Sequence, residues 1–287
     1  PPATSEVTRA GPGRRRRQVS EVAATTEPMT TSHFALPALP FEHWLARIEE
    51  RSAAFRDAVG AADPQARVPG CPDWTTRDLA AHLGGVQRFW AATVSAGPAR
   101  RPPSEEAVAD REPTGELLAW SARSTALLLD ALRAAGPDTP CWTWWAASGR
   151  PATAGAVARH QVQEAAVHTR DAQEAAGAPE PLPPAVALDA LDEFLQVGFG
   201  SMDGWPHSPA RVVLAADEGP AWTLILDPTG ASAVRGGDGP RAGAVLAGPA
   251  SDLLLALYRR VPWDGAALRL TGDPELVRQL VVWPPLG

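Results

Sequence analysis

The spacing of apolar side chains changes once along this chain, near residue 204, and that change restricts its architecture more than any other feature. Before it, apolar residues recur every three to four positions, as on one face of a helix; after it come short β-branched runs bounded by Gly and Pro. The first regime predicts helices over 41–61, 75–95, 114–135, 153–176 and 184–199. Trp44, Leu45, Ile48, Phe55 and Val59 make the stripe of the first; Leu79, Leu83, Val86, Phe89, Trp90 and Val94 make that of the second. Thr75 stands as its N-cap, with Asp78 closing an approximate capping box. Gly84 and Gly85 interrupt this helix at roughly 1 kcal/mol each relative to Ala, a cost that fits close packing of a neighbour. Modest connections make the first four helices an antiparallel bundle. In the second regime, RVVLAAD and AWTLILDP read as strands joined at Glu218, Gly219 and Pro220. ASAVRGG, GAVLAG and ALRLTG add three more, with helices over 249–260 and 273–282. The fold class is mainly α plus α+β: a four-helix bundle over 33–204, then a small α/β domain over 205–287.

Residues 1–32 are expected to be a disordered extension. They contain GPGRRRRQVS, and Met29 opens MTTSHF as a natural start would. No apolar segment follows the Arg run, which excludes a twin-arginine export signal. The first 28 residues carry more Arg than acid, so the remainder is more acidic than the overall net charge of -7. An acidic body disfavours nucleic acid as a partner. No apolar run reaches the roughly 18 residues of a membrane span. All 26 basic residues are Arg, so every fixed cationic contact is a guanidinium, suited to forked pairing with carboxylates or phosphates. That bias points to a high-GC, actinobacterial genome. Cys71 and Cys141 form no CxxC pair and are expected as free thiols. The protein is expected in the cytoplasm, without nucleic-acid or membrane partners, as a monomer or weak homodimer.

The fourth helix carries the chemistry. Val157, Gln161, Glu164, Val167, His168 and Asp171 share one broad face, and a carboxylate on such a face needs a partner, solvent or a metal. His82, on the apolar face of the second helix, is the candidate third group. Two imidazoles and one carboxylate suit zinc and leave a fourth position open, the pattern of catalytic sites. Asp171 could accept from a ligand imidazole and fix its tautomer. His160, four residues before Glu164, is a rival ligand. His33, His43 and His207 read as surface residues. Taken singly, each spacing is equally that of an ordinary helix ion pair.

The stretches PGCPDWTTRDLAAHLGGVQRFW, WTWW, EAAVHTRDAQEAAG and GPASDLLLALYRR followed by LRLTGDPELV resemble the mycothiol-dependent maleylpyruvate isomerase family over 41–283. The resemblance implies a DinB-like bundle joined to a small, sterol-carrier-like α/β domain. It implies a divalent metal, usually zinc, held by His82, Glu164 and His168, with Asp171 as the acid following the last ligand. It assigns isomerase activity to an Arg matching Arg260, with Arg259 as the alternative; members often carry Gly-Arg there, and Arg259 departs from that. Mycothiol is implied as the small thiol that takes the open metal position, with an electrophilic small molecule as its substrate. In a transferase the sulfur stays attached; in an isomerase it is lost again after rotation about the new single bond.

Two other readings use the same residues. One is a non-catalytic binding protein with a structural or vestigial metal site; the other is a hydrolase with water at the open position. Of Trp142, Trp144 and Trp145, at least two are expected in core packing and the remainder in the pocket wall. Cys71 has no local His or Arg beside it in sequence and is expected to be buried and inert.

Overall fold

The helices starting at Thr76, Leu117, Ala154 and Pro274 each begin at a side-chain cap. The computed structural model describes residues 39–237 and 241–285. The expected extension over 1–32, the Met29 start and His33 lie outside them. Helices α1 (Phe41–Ala61), α2 (Thr76–Ala96), α3 (Leu117–Ala135) and α4 (Ala154–Ala175) form the bundle, α1 lying mainly along α4 and α2 along α3. Thr75 accepts from the Asp78 N–H while Asp78 accepts from the Thr75 N–H, the full capping box. Thr153 caps α4 in the same way at the Ala156 N–H. Helix α3 starts later than its pattern suggests, because the Glu116 carboxylate takes the N–H groups of Leu118 and Ala119. Gly84 seats the wholly buried Trp120: a Cβ there would lie 2.1 Å from the indole.

The proline-rich segment before α2 contains a short antiparallel hairpin, β1 (Arg67–Val68) and β2 (Cys71–Thr75). Its second strand leads directly into α2, so it carries Cys71 and Trp74 to the head of that helix. Helix α5 (Pro184–Glu193) does not run on as an α-helix. It widens into a π turn at Phe194–Gly198 and tightens into a 3₁₀ turn at Phe199–Ser201. Such turns insert an extra residue and re-aim side chains, often beside functional sites.

The mixed sheet contains β3 (Ala210–Ala216), β4 (Ala221–Asp227), β5 (Gly230–Arg235), β6 (Ala244–Gly248) and β7 (Arg269–Gly272), in the order β5-β4-β3-β6-β7. Only the β3–β6 pairing is parallel. Helices α6 (Ala250–Leu257) and α7 (Pro274–Val282) pack on β3 and β6, burying Leu253, Leu254, Leu257, Val277 and Leu280. Helix α5 touches both α4 and α6, and one apolar core runs from the bundle into the sheet. An ionic tie crosses the same junction. Buried Asp192 of α5 accepts from Arg159 of α4, from Arg235 of β5 and from the Trp222 indole of β4. Burial would raise its carboxyl, but Arg235, Arg159 and Trp222 together hold it down at about 2.

Candidate metal centre

Two bundle helices bring three candidate ligands to one point. His82 of α2 and Glu164 and His168 of α4 offer donor atoms that all lie within 4.8 Å of one another. His82 Nε2 is 3.1 Å and His168 Nε2 is 3.4 Å from the same oxygen, Glu164 Oε1. Burial alone would raise Glu164; hydrogen bonds from His168 and His82 outweigh it and hold the carboxyl well below its ordinary range. Burial likewise pulls His168 down, but Asp171 and Glu164 hold it up at about 9. Trp74 leans over His82 with ring centroids 4.6 Å apart.

Behind His168 stands Asp171, fully buried, with Oδ2 2.9 Å from His168 Nδ1. Arg260, in the turn after α6, reaches back across the junction. Its Nε donates to Asp171 Oδ1 at 3.1 Å and its Nη2 to Oδ2 at 3.0 Å, a fork matched to the carboxylate. Burial opposes ionisation of Asp171; His168 and Arg260 lower its carboxyl nonetheless. Arg259 goes elsewhere. It takes a left-handed backbone, φ 59°, and donates to the carbonyls of Val281, Val282 and Pro284. That backbone is one glycine adopts freely.

Cys71 differs from expectation. The thiol is half-buried, with Arg260 Nη2 3.1 Å and Asp171 Oδ2 3.9 Å from its sulfur. Burial raises its pKa, and Arg260 pulls the other way. Cys71, His168 and Asp171 also gather within 4.8 Å. Both Asp171 oxygens are engaged by Arg260, however, so this cluster is built as a hydrogen-bonded support.

The His82–Glu164–His168 set fits a divalent ion. Its donors are those zinc takes, they come from two rigid helices, and three protein ligands leave room for a small molecule. Asp171 occupies Nδ1 of His168, which leaves Nε2 for the ion, the usual arrangement behind a metal-bound imidazole. His160 stands apart from the set, its Nδ1 3.0 Å from Glu193 Oε1. Gln161 is buried away from the cavity, and His43 and His207 are exposed.

A cavity of about 410 Å³ opens beside the triad, between α4, the π turn and the turn after α6. Trp144 lines it and is half-exposed; Trp145 is wholly buried and Trp142 packs on the core. Glu193 and Tyr258 also reach the cavity and were not singled out from the sequence. Glu193 had a signal, an acid inside an apolar helical face. Tyr258, which donates to Gln163 Oε1 at 2.9 Å, had none.

Both parts of the chain match known domain models. The mycothiol maleylpyruvate isomerase N-terminal domain matches residues 45–173, and the MDMPI C-terminal domain matches residues 185–279. No curated protein matches. Two solved structures share the fold: a mycothiol-dependent maleylpyruvate isomerase (16% identity, TM-score 0.55) and a histidine-to-alanine mutant described by the same name (17% identity, TM-score 0.56). Each comparison covers 86% of this chain and 97% of the other. Among the described residues no helix is long and apolar enough to cross a membrane. With both domains matched in order along most of its length, the chain belongs to the mycothiol-dependent maleylpyruvate isomerase family.

Proposed function

We propose that this protein is a metal-dependent enzyme that activates a low-molecular-weight thiol, mycothiol, for transfer to an electrophile or for thiol-assisted cis–trans isomerisation. The observation that carries the reading is the convergence of His82, Glu164 and His168 beside a cavity. These three residues would hold the ion, zinc being the metal their donors suit best. When bound, a divalent ion there favours thiolate over thiol and so supplies a nucleophile at neutral pH.

The chain's own residues do the rest. Asp171 holds His168 in one tautomer and one orientation, and Arg260 fixes Asp171. Trp74 stands against His82, with ring centroids 4.6 Å apart. The apolar cavity wall receives the electrophile next to the ligands. In S-transfer, the sulfur–carbon bond forms as the leaving group departs with its electron pair. In isomerisation the sulfur adds and is expelled again, with no net change in atoms.

The test is metal content. The purified protein is expected to carry one zinc per chain, lost in His82→Ala and in Glu164→Ala. Stoichiometric zinc retained in both variants would sink the assignment. Cobalt substitution extends the test to the thiol: adding mycothiol should bring in sulfur-to-metal charge-transfer absorption. An unchanged spectrum favours the other two readings, the non-catalytic binding protein or the hydrolase.

A further inference from the structure

A second imidazole–carboxylate pair borders the cavity and takes no part in the triad. His160 of α4 and Glu193, the last residue of α5, both line the space. Their contact, 3.0 Å from Nδ1 to Oε1, joins side chains only 15% and 4% exposed. It leaves His160 Nε2 with no protein partner among the described residues. Trp145, Trp144 and Trp90 surround the imidazole, with ring centroids 5.1, 5.8 and 6.0 Å from it, which limits its rotation. His160, Glu164 and His168 follow at four-residue intervals on one face of α4, about 6 Å per step. The pair thus stands one helical turn from the nearest candidate ligand. The other donors of the wall are placed differently. Gln163 gives its amide to the Ala190 carbonyl and Tyr258 its hydroxyl to Gln163. Arg260 faces Asp171, Cys71 and the Tyr258 carbonyl, and Ser201 sits at the exposed rim.

A carboxylate on Nδ1 holds an imidazole in one orientation and leaves Nε2–H to serve a reactant, the arrangement that makes a histidine a positioned acid. We infer that His160 is a catalytic proton donor of this cavity, aimed by Glu193 at a carbonyl oxygen of the electrophile. The role rests on the thiol-activating reading. When a thiolate adds to a carbon–carbon double bond conjugated with a carbonyl, a sulfur lone pair becomes the sulfur–carbon bond. The π pair moves onto the carbonyl oxygen, and the His160 Nε2 proton passes to that oxygen. In isomerisation the proton returns to Nε2 as the sulfur–carbon bond breaks and sulfur leaves with the electron pair. In addition it stays on the product, and the proton lost by the next thiol replaces it. Burial opposes a charge on His160, but Glu193, and Glu164 from farther off, hold its imidazole up, which favours the proton-carrying form.

The probe is 4-nitrophenolate, a flat oxyanion with its charge conjugated as in an enolate, followed by its absorbance. The purified full chain should bind it. Affinity should fall about tenfold to hundredfold when His160→Phe is combined with Glu193→Gln, a pair of changes that strands no carboxylate. Zinc content is read on the same samples; where it is equal, any share an ion takes in holding the anion is common to them. Glu193→Gln alone keeps the packing and decides the matter if the double variant does not fold. The charged or titratable groups bordering the same space are Glu193 of α5, Glu164 and His168 of α4, His82 of α2, and Tyr258 and Arg260 after α6. Of these, Glu193 is the one hydrogen-bonded to the His160 ring. Without its charge the imidazole gives up its proton more easily, so Glu193→Gln should lose phenolate binding at a lower pH than the unsubstituted protein. A packing role would not move that limb. No binding by the unsubstituted protein, equal affinity in the double variant, or an unmoved pH limb in Glu193→Gln each overturns the inference. Zinc missing from every sample with the phenolate difference intact removes the thiol chemistry and leaves the donor standing.

Discussion

Asp171 is the residue on which most of the site's order depends. One carboxylate fixes the His168 ring, receives the Arg260 fork and lies against the Cys71 thiol. Asp171→Asn keeps the shape but removes the charge and half of the acceptor capacity, so Arg260 loses its ionic partner and the His168 tautomer is no longer dictated. Zinc affinity should fall about 10- to 100-fold, the usual cost of removing a group that orients a ligand imidazole; chelator competition measures it. Unchanged affinity would mean that His168 is held by packing alone. Much of this was visible in the sequence: Glu164, His168 and Asp171 share a helical face, and His82 sits on another apolar face. The contact between Cys71 and Arg260 was not, because 189 positions separate them and only the hairpin and the turn after α6 bring them together.

At the scale of elements, α2 shows two effects of opposite sign at one position. Gly84→Ala gains about 1 kcal/mol in helix propensity. It also drives a methyl into the fully buried Trp120 ring, and such overpacking costs about 1–3 kcal/mol. At 2.1 Å from a rigid indole anchored to the Asp110 carbonyl, the second effect wins. The variant should be less stable by up to about 2 kcal/mol in urea denaturation, and a more stable protein would contradict the packing described. The long helices were legible because their period is written in every turn. The β1–β2 hairpin was not, since Pro69 and Pro72 break any alternation. Nor was the π turn, where Phe194, Leu195 and Val197 continue an apolar helical stripe without marking the extra residue.

Across the whole molecule, Asp192 is one of two ionic fastenings described between bundle and C-terminal part, the Arg260–Asp171 fork being the other. Its folded pKa of about 2 lies below the ordinary 3.8, so its contribution is complete above about pH 4 and is lost as pH falls through about 2. The shift corresponds to about 2 kcal/mol. Asp192→Asn leaves Arg235 without its carboxylate and should cost about 3 kcal/mol at pH 7. The difference in unfolding free energy from the unsubstituted protein should shrink steadily between pH 4 and pH 2. A gap independent of pH over that range would show that the loss comes from packing.

The paired arginines after α6 have a consequence for how damage would spread. Arg259 ties down the segment whose Pro284 and Pro285 wall the cavity, and Arg260 braces the acid behind His168. One tight corner thus serves as a hinge pin for two distant parts. Slackening the polypeptide beyond α7 would tug on that corner and register as weakened chemistry, although nothing in that tail belongs to the metal-ligand trio.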